Sequence, residues 1–185
     1  MTELKKVSNA SYQTTISIGA SKPRQLAWYL VNILFFKNPL VPISGLKTFL
    51  LRIFGAKLGR GVLIKPSVNI KFPWKLQLGD HCWIGEGVWI DNLSEVTMGN
   101  NVTISQGALL LTGSHDHTSE TFDFLSLPII LEDGVWIGAK AVVFGGVTCK
   151  SHSILGMNSV AEKNLDSYTI YKGNPSMPII KRNIY

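Results

Sequence analysis

Six-residue periodicity constrains this chain more than any other feature. From Leu131, a step of six lands on Ile137, Val143, Cys149, Leu155 and Ala161, all small or aliphatic. Val135, Ala141, Val147, Ser153 and Ser159 stand four places after the first five of these stops. The same beat runs upstream through Leu58, Ile64 and Ile70, then Leu78, Ile84 and Ile90, then Met98, Ile104 and Leu110. An amphipathic helix would repeat near 3.6 residues and a half-buried strand at 2. A period of six instead predicts a β-solenoid in which each hexad is a short strand and a turn. Three hexads close one triangular coil, and coils stack at about 4.8 Å.

The interruptions are as informative as the beat. Between Ile90 and Met98 the step is eight, so a two-residue insertion sits at a corner. Between Leu110 and Leu131 the rhythm breaks, and residues 111–130 form one long loop carrying two of the four histidines. A solenoid accepts insertions only where the chain turns, and function collects in such loops. The chain therefore divides into a loosely ordered stretch at 1–20, an apolar helical appendage at 21–56, the solenoid at 57–166 with its loop at 111–130, and a return strand and cap at 167–185.

The appendage has its own pattern. Ser21 and Pro23 suit a helix start. Residues 26–36 are apolar nearly all round, with Lys22, Arg24 and Lys37 at the flanks. Pro39 and Pro42 end that helix, and a second runs over 44–54. The apolar run is shorter than the ~20 residues that span a bilayer. It suits a cap on the first coil, a helix lying in the headgroup plane, or both. No signal-peptide pattern precedes it.

Composition narrows the partners. Hydrophobic residues are 45% and charged ones 16%, so a sizeable core is paired with a charge-poor surface. The net charge of +6 contains no Lys/Arg block, which argues against nucleic acid and leaves a membrane surface or an anionic small ligand. Cys82 and Cys149 fall inside hexads as small core residues. Two lone cysteines fit a reducing cytoplasm with no disulfide framework.

The hexads, the stretch Leu-Thr-Gly-Ser-His-Asp ending at Asp116, the Gly134–Gly138 hexad and the Gly173-Asn-Pro tail together resemble the hexapeptide-repeat acyltransferases. Within them the chain is most similar to the O-acetyltransferases of colanic acid and exopolysaccharide synthesis, cousins of maltose and galactoside acetyltransferases. The resemblance covers residues 58–181 and implies a left-handed parallel β-helix, although parallel crossovers are normally right-handed. It implies acetyl-CoA as donor, a sugar or lipid-linked glycan as acceptor, no metal, and a homotrimer at work in the cytoplasm or at the inner face of the membrane. His115 matches the family's catalytic histidine after Thr112 and Gly113. Imidazole, with an ordinary pKa near 6.5, suits a general base. His117 is its competitor, and Asp116 is placed to orient either ring. Trp136, Ala139, Met157 and Lys163 match positions along the acetyl-CoA groove, although the family often has a small residue where Met157 stands. Lys163, Lys181 and Arg182 would meet the nucleotide phosphates. Asp91 and Asn92, at the corner insertion, would meet the acceptor. Trp83, Trp89 and Trp136 share the sixth place of their hexads and are expected to point outward, lining a groove or subunit interface. His81 and His152 occupy turns.

Two other functions share these features. A γ-type carbonic anhydrase has the same fold but needs three zinc-binding histidines from adjacent subunits. His81 and His117 have a suggestive separation, yet residues 118–122 hold no third histidine. A non-catalytic scaffold is the other alternative, against which the histidine pair in the long loop argues.

Overall fold

The computed structural model describes residues 6–12, 14 and 16–185. Of the amino-terminal stretch expected to be loose, residues 1–5, 13 and 15 lie outside the described residues. The hexads wind into the left-handed parallel β-helix, a prism of three faces. The first face stacks the strands at Lys57–Leu58, Leu76–Leu78, Val96–Met98, Ile129–Leu131 and Thr148–Cys149. The second begins at Leu63–Ile64 and the third at Asn69–Ile70. All rungs within the prism are parallel and in register, so each hexad stop sits on the stop one coil away, as Ile64 does on Ile84 and Ile84 on Ile104.

That register builds the core. Inward stacks run Ile64, Ile84, Ile104, Ile137, Leu155 on the second face and Ile70, Ile90, Leu110, Val143, Ala161 on the third, none more than 1% exposed. The residues two places earlier, such as Val68, Val88, Ala108 and Ala141, fill the corners from inside. Each aliphatic side chain buried this way contributes about 1.5–3 kcal/mol. Cys82 and Cys149 belong to this interior, and burial pushes the Cys149 thiol up to about 12. The outward residues differ between faces. Lys57, Gln77, Thr97, Ile130 and Thr148 make the first face mostly polar, whereas Leu63, Trp83, Thr103, Trp136, Ile154 and Ile170 make the second mostly apolar. The three tryptophans do point outward, but they do not share one groove: Trp83 and Trp136 are on the second face and Trp89 on the third.

The corner from third face to first bulges in three consecutive coils, not two. The step from Ile70 to Leu78 is also eight, and it carries Phe72 stacked on Trp74 at 5.1 Å. Asn92 in the next coil accepts from the Phe72 N–H and donates to its carbonyl, at 2.9 and 2.6 Å. Thr112 in the third coil donates to the Asp91 carbonyl and accepts from the Ser94 N–H. These bonds weld the corner into a pillar from which the long loop departs.

The appendage is a plug for the open end. A solenoid's first coil presents unpaired strand edges on all three faces. The helix α1 (Lys22–Val31), a π-helical turn (Asn32–Phe36) and the helix α2 (Ser44–Ile53) satisfy them with side chains. Arg52 donates to the Leu58 and Gly59 carbonyls on the first edge. Ser44 donates to Val62 and accepts from Ile64 on the second, and Lys47 donates to the Lys65 carbonyl beside it. Trp28 donates to Ile70 on the third. Lys47 is fully buried, and desolvation lowers its pKa. The opposite side of the helices stays open: Leu26, Tyr29, Leu30, Leu34, Ile43, Phe49 and Ile53 are each more than half exposed. No helix is long and apolar enough to cross a membrane among the described residues. At the far end, Thr169–Lys172 and Met177–Lys181 form an antiparallel hairpin that extends the second face.

Candidate active site

The long loop folds back as a two-stranded ribbon, Gly113–His115 against Phe124–Ser126, with His115 opposite Phe124. His115 is half-buried. Its ring lies flat on Phe122, at 4.2 Å between centroids and 6° between planes, and meets Phe124 edge-on at 5.0 Å. Its Nδ1 is 2.9 Å from the Phe122 carbonyl oxygen. A carbonyl only accepts, so Nδ1 must hold the proton. In the neutral ring this leaves the Nε2 lone pair free, which is the arrangement a general base needs.

The neighbouring candidates separate by geometry. His117 is exposed and makes no hydrogen bond to its ring among the described residues. Asp116 does not orient His115: its carboxylate accepts from the Thr118 hydroxyl at 2.6 Å and backbone N–H at 2.9 Å. Those bonds, the hydroxyl first, hold the carboxyl below the usual range. The orienting group is the Phe122 carbonyl, which sequence reasoning missed because a backbone atom leaves no residue signature.

A second feature lies on another side of the prism. Trp136, Ala139 and Met157 line one groove of about 590 Å³ along the second face and its corner with the third, with Ile154, Ile180 and Lys172. The Trp136 indole N–H donates to Ser105 Oγ at 2.9 Å, which fixes its ring at the groove's edge. Gly138 forms the floor because nothing larger fits: a Cβ there would lie 2.6 Å from the Met157 backbone N and 2.8 Å from the Leu155 carbonyl. Lys163 is exposed and not among the groove's lining. Lys172, four residues beyond the return of the chain at Tyr168, is the lysine that lines it. Lys181 donates to Thr169 Oγ1, and Arg182 to the Gly134 and His152 carbonyls, so both pin the tail hairpin to the solenoid.

The two acceptor candidates also divide. Asn92 is fully buried with its amide spent on Phe72, and cannot reach a ligand. Asp91 is 7% exposed, with Oδ1 2.8 Å from the Lys71 ammonium. That oxygen is at ion-pair distance without hydrogen-bond alignment.

Within the stretch expected to be loose, residues 6–12, 14 and 16–18 run beside the histidine loop. Ser8 N–H donates to the Glu120 carbonyl, Trp74 and Lys75 reach the Ile18 and Ser17 carbonyls, and the Tyr12 ring stands 6.0 Å from that of His115. His81 sits at the corner between first and second faces, away from His117. His152 stacks on Tyr168 at 4.7 Å. No three His, Cys, Asp or Glu side chains converge at metal-ligand spacing among the described residues.

No protein-family model matches the chain. A protein of Escherichia coli (strain K12), provisionally named colanic acid biosynthesis acetyltransferase WcaF, is 40% identical over 158 residues, 85% of this chain and 86% of that one. The crystal structure of a hexapeptide-repeat-containing acetyltransferase from Vibrio cholerae superposes with a TM-score of 0.80 at 22% identity, covering 90% of this chain and 96% of that one. A galactoside acetyltransferase in complex with coenzyme A gives a TM-score of 0.78 at 23% identity, covering 87% and 82%. At those identities the two structures speak for the fold. The E. coli relative, at 40% identity over most of both chains, speaks for the family. The chain belongs to the hexapeptide-repeat acetyltransferases.

Proposed function

We propose that the protein transfers an acetyl group from acetyl-CoA to a sugar hydroxyl of a surface-polysaccharide precursor, with His115 as general base. The observation that carries this is the Phe122 carbonyl on Nδ1, which leaves Nε2 to take a proton. The names of the E. coli relative and of the coenzyme A-bound galactoside acetyltransferase support the donor and the acceptor class. As the acceptor hydroxyl attacks the thioester carbonyl, Nε2 takes its proton and the new C–O bond forms. The tetrahedral oxyanion collapses, the C–S bond breaks, and the imidazolium returns the proton to the departing thiolate. The products are the acetyl ester and free coenzyme A. Trp136, Ala139, Met157 and Lys172 hold the donor, and the Asp91–Lys71 pair borders the acceptor. The test is thiol release from acetyl-CoA in the presence of sugar nucleotides and lipid-linked glycans. No acceptor-dependent release by the wild type from any of them refutes the reading.

The prism supports a trimeric assembly. His115 departs from the corner between third and first faces, which lies opposite the second face. The groove on that face is therefore out of reach of its own chain's histidine. A cyclic trimer sets the loop of one copy against the groove of the next. An active monomer by light scattering at assay concentration refutes this.

The open side of α1 and α2 supports peripheral membrane contact. Its exposed apolar residues are flanked by exposed Lys22 and Lys37, each worth about 1 kcal/mol near anionic lipid. Arg24 is not available for this, since it donates to the Phe54 carbonyl and lies over Trp74. Co-sedimentation with anionic vesicles at low salt should weaken with salt and with Lys22→Glu and Lys37→Glu. Intact protein left in the supernatant at low salt makes the appendage a cap alone.

A further inference from the structure

A cavity of about 470 Å³ lies where the helical appendage meets the third face. Trp89, Tyr29 and Phe72 give it aromatic walls; Lys37 and Lys71 give it positive charge; no acidic side chain lines it. Lys71 is tied to Asp91, whereas Lys37 has no carboxylate partner among the described residues. Asn32 opens the π-helical turn and also lines the cavity. It is 7% exposed, and its Nδ2 donates to Asn69 Oδ1 at 2.8 Å. Its Oδ1 is buried with no partner among the described residues. Such an acceptor is open to a donor from water or ligand, and π-turns inside helices recur at functional sites.

These groups together describe one ligand chemistry. Ammonium groups attract phosphate oxygens. An exposed indole face offers a flat apolar platform to a sugar ring. The orphaned amide oxygen accepts from a hydroxyl. We propose that this cavity binds the diphosphate end of a sugar-diphosphate acceptor, a site that rests on the sugar-acetylation reading above and specifies how the acceptor is held.

The cavity also leads to the histidine. Lys71 lines it and lines a second, smaller cavity of about 220 Å³ walled by Tyr12, Leu93 and Phe124. Phe124 is the ring that meets His115 edge-on. Asn69 and the loop of His115 belong to coils two strand spacings apart, about 10 Å along the axis. A glycan anchored by its diphosphate at Lys37 and Lys71 thus extends past Lys71 toward the base. The cavity opens beside Leu26, Tyr29 and Ile33, which belong to the appendage's exposed apolar side. Two sources supply a sugar diphosphate, a nucleotide or a polyprenyl carrier.

Calorimetric titration of the full chain tests this without turnover, with coenzyme A at saturation so that the donor groove is filled. The probes are UDP-galactose and farnesyl diphosphate, with methyl β-galactoside and farnesol as their uncharged counterparts. At least one diphosphate should bind roughly tenfold more tightly than its counterpart, the scale of one charge-assisted contact. Lys37→Ala and Trp89→Ala should each weaken UDP-galactose roughly fivefold or more if a nucleotide is the source, and Lys37→Ala alone should weaken farnesyl diphosphate as much if the source is a carrier lipid. Diphosphate affinities within twofold of the uncharged probes, or insensitive to Lys37→Ala, overturn the proposal. An enzyme that acetylates methyl β-galactoside as well as UDP-galactose, and binds neither diphosphate, keeps the acetylation reading and loses this one.

Discussion

Replacing His115 by alanine separates chemistry from folding. The substitution removes the imidazole whose Nδ1 is held by the Phe122 carbonyl. A general base contributes about 10²–10⁴ in rate, or roughly 2.7–5.4 kcal/mol at about 1.36 kcal/mol per tenfold. The ring also makes two close aromatic contacts, with Phe122 and Phe124. At about 0.5–1.5 kcal/mol each, their loss destabilises by no more than ~3 kcal/mol. That is less than the 5–15 kcal/mol typical of a domain. Moreover, the ribbon they stabilise lies outside the stacked hexads, so the solenoid should melt nearly as before. The base acts on the acceptor's proton and not on the bound donor, so the KM for acetyl-CoA should stay within about twofold while kcat falls, the signature of an interaction made in the transition state. Steady-state thiol release at matched folded fraction, checked by circular dichroism, reads both. His117→Ala should lose less than about threefold, since no hydrogen bond fixes its ring among the described residues. A loss below about tenfold in His115→Ala, or an equal loss in His117→Ala, refutes the assignment.

Three further substitutions probe the frame. Gly138→Ala would push a methyl to 2.6 Å from the Met157 backbone, so the coil beneath the groove must shift; this overpacking costs about 1–3 kcal/mol and should raise the KM for acetyl-CoA, measured by steady-state kinetics. Asn92→Ala strands the Phe72 N–H and carbonyl inside the corner pillar, costing about 2–3 kcal/mol, or a Tm drop of about 4–12 °C by scanning calorimetry. A loss of acceptor affinity at unchanged Tm would return Asn92 to the acceptor site. Lys47 has a folded-state pKa below its ordinary 10.5, so between those two values the folded chain binds fewer protons than the unfolded one. The Lys47 share of stability then rises with pH across that window and falls as pH drops through the folded value, as does that of Lys75, whose pKa burial also lowers. The buried thiols of Cys82 and Cys149, whose pKa is raised, pull the other way above their ordinary value of 9.0. The readout is therefore the difference in urea midpoint between wild type and Lys47→Met, which should move in favour of the wild type as pH rises toward 10.5.

The sequence by itself determined the solenoid, because a stacked hexad needs the same small aliphatic stop at every sixth place and no other fold demands that. It determined where the chain leaves the stack, because an insertion between Leu110 and Leu131 can only emerge at a corner. It also pointed to the long loop as the candidate place of chemistry and to His115 as the candidate base, through the resemblance of the residues around it. What it could not determine depends on atoms that carry no residue signature. The tautomer of His115 is set by the Phe122 backbone, seven residues on and brought back by the ribbon. Asn92 read as a ligand residue because its burial comes from the coil before it, twenty residues earlier. Lys163 and Lys172 are both lysines near the end of the solenoid, and only the return of the tail decides which one borders the groove. The plug is tertiary for the same reason: Ser44, Lys47, Arg52 and Trp28 look like an ordinary amphipathic mixture until three open strand edges lie above them. Hydrophobic period is a local property and survives in one dimension. Hydrogen-bond partners of backbone atoms depend on which distant segment is packed alongside, and that is decided only when the coils close.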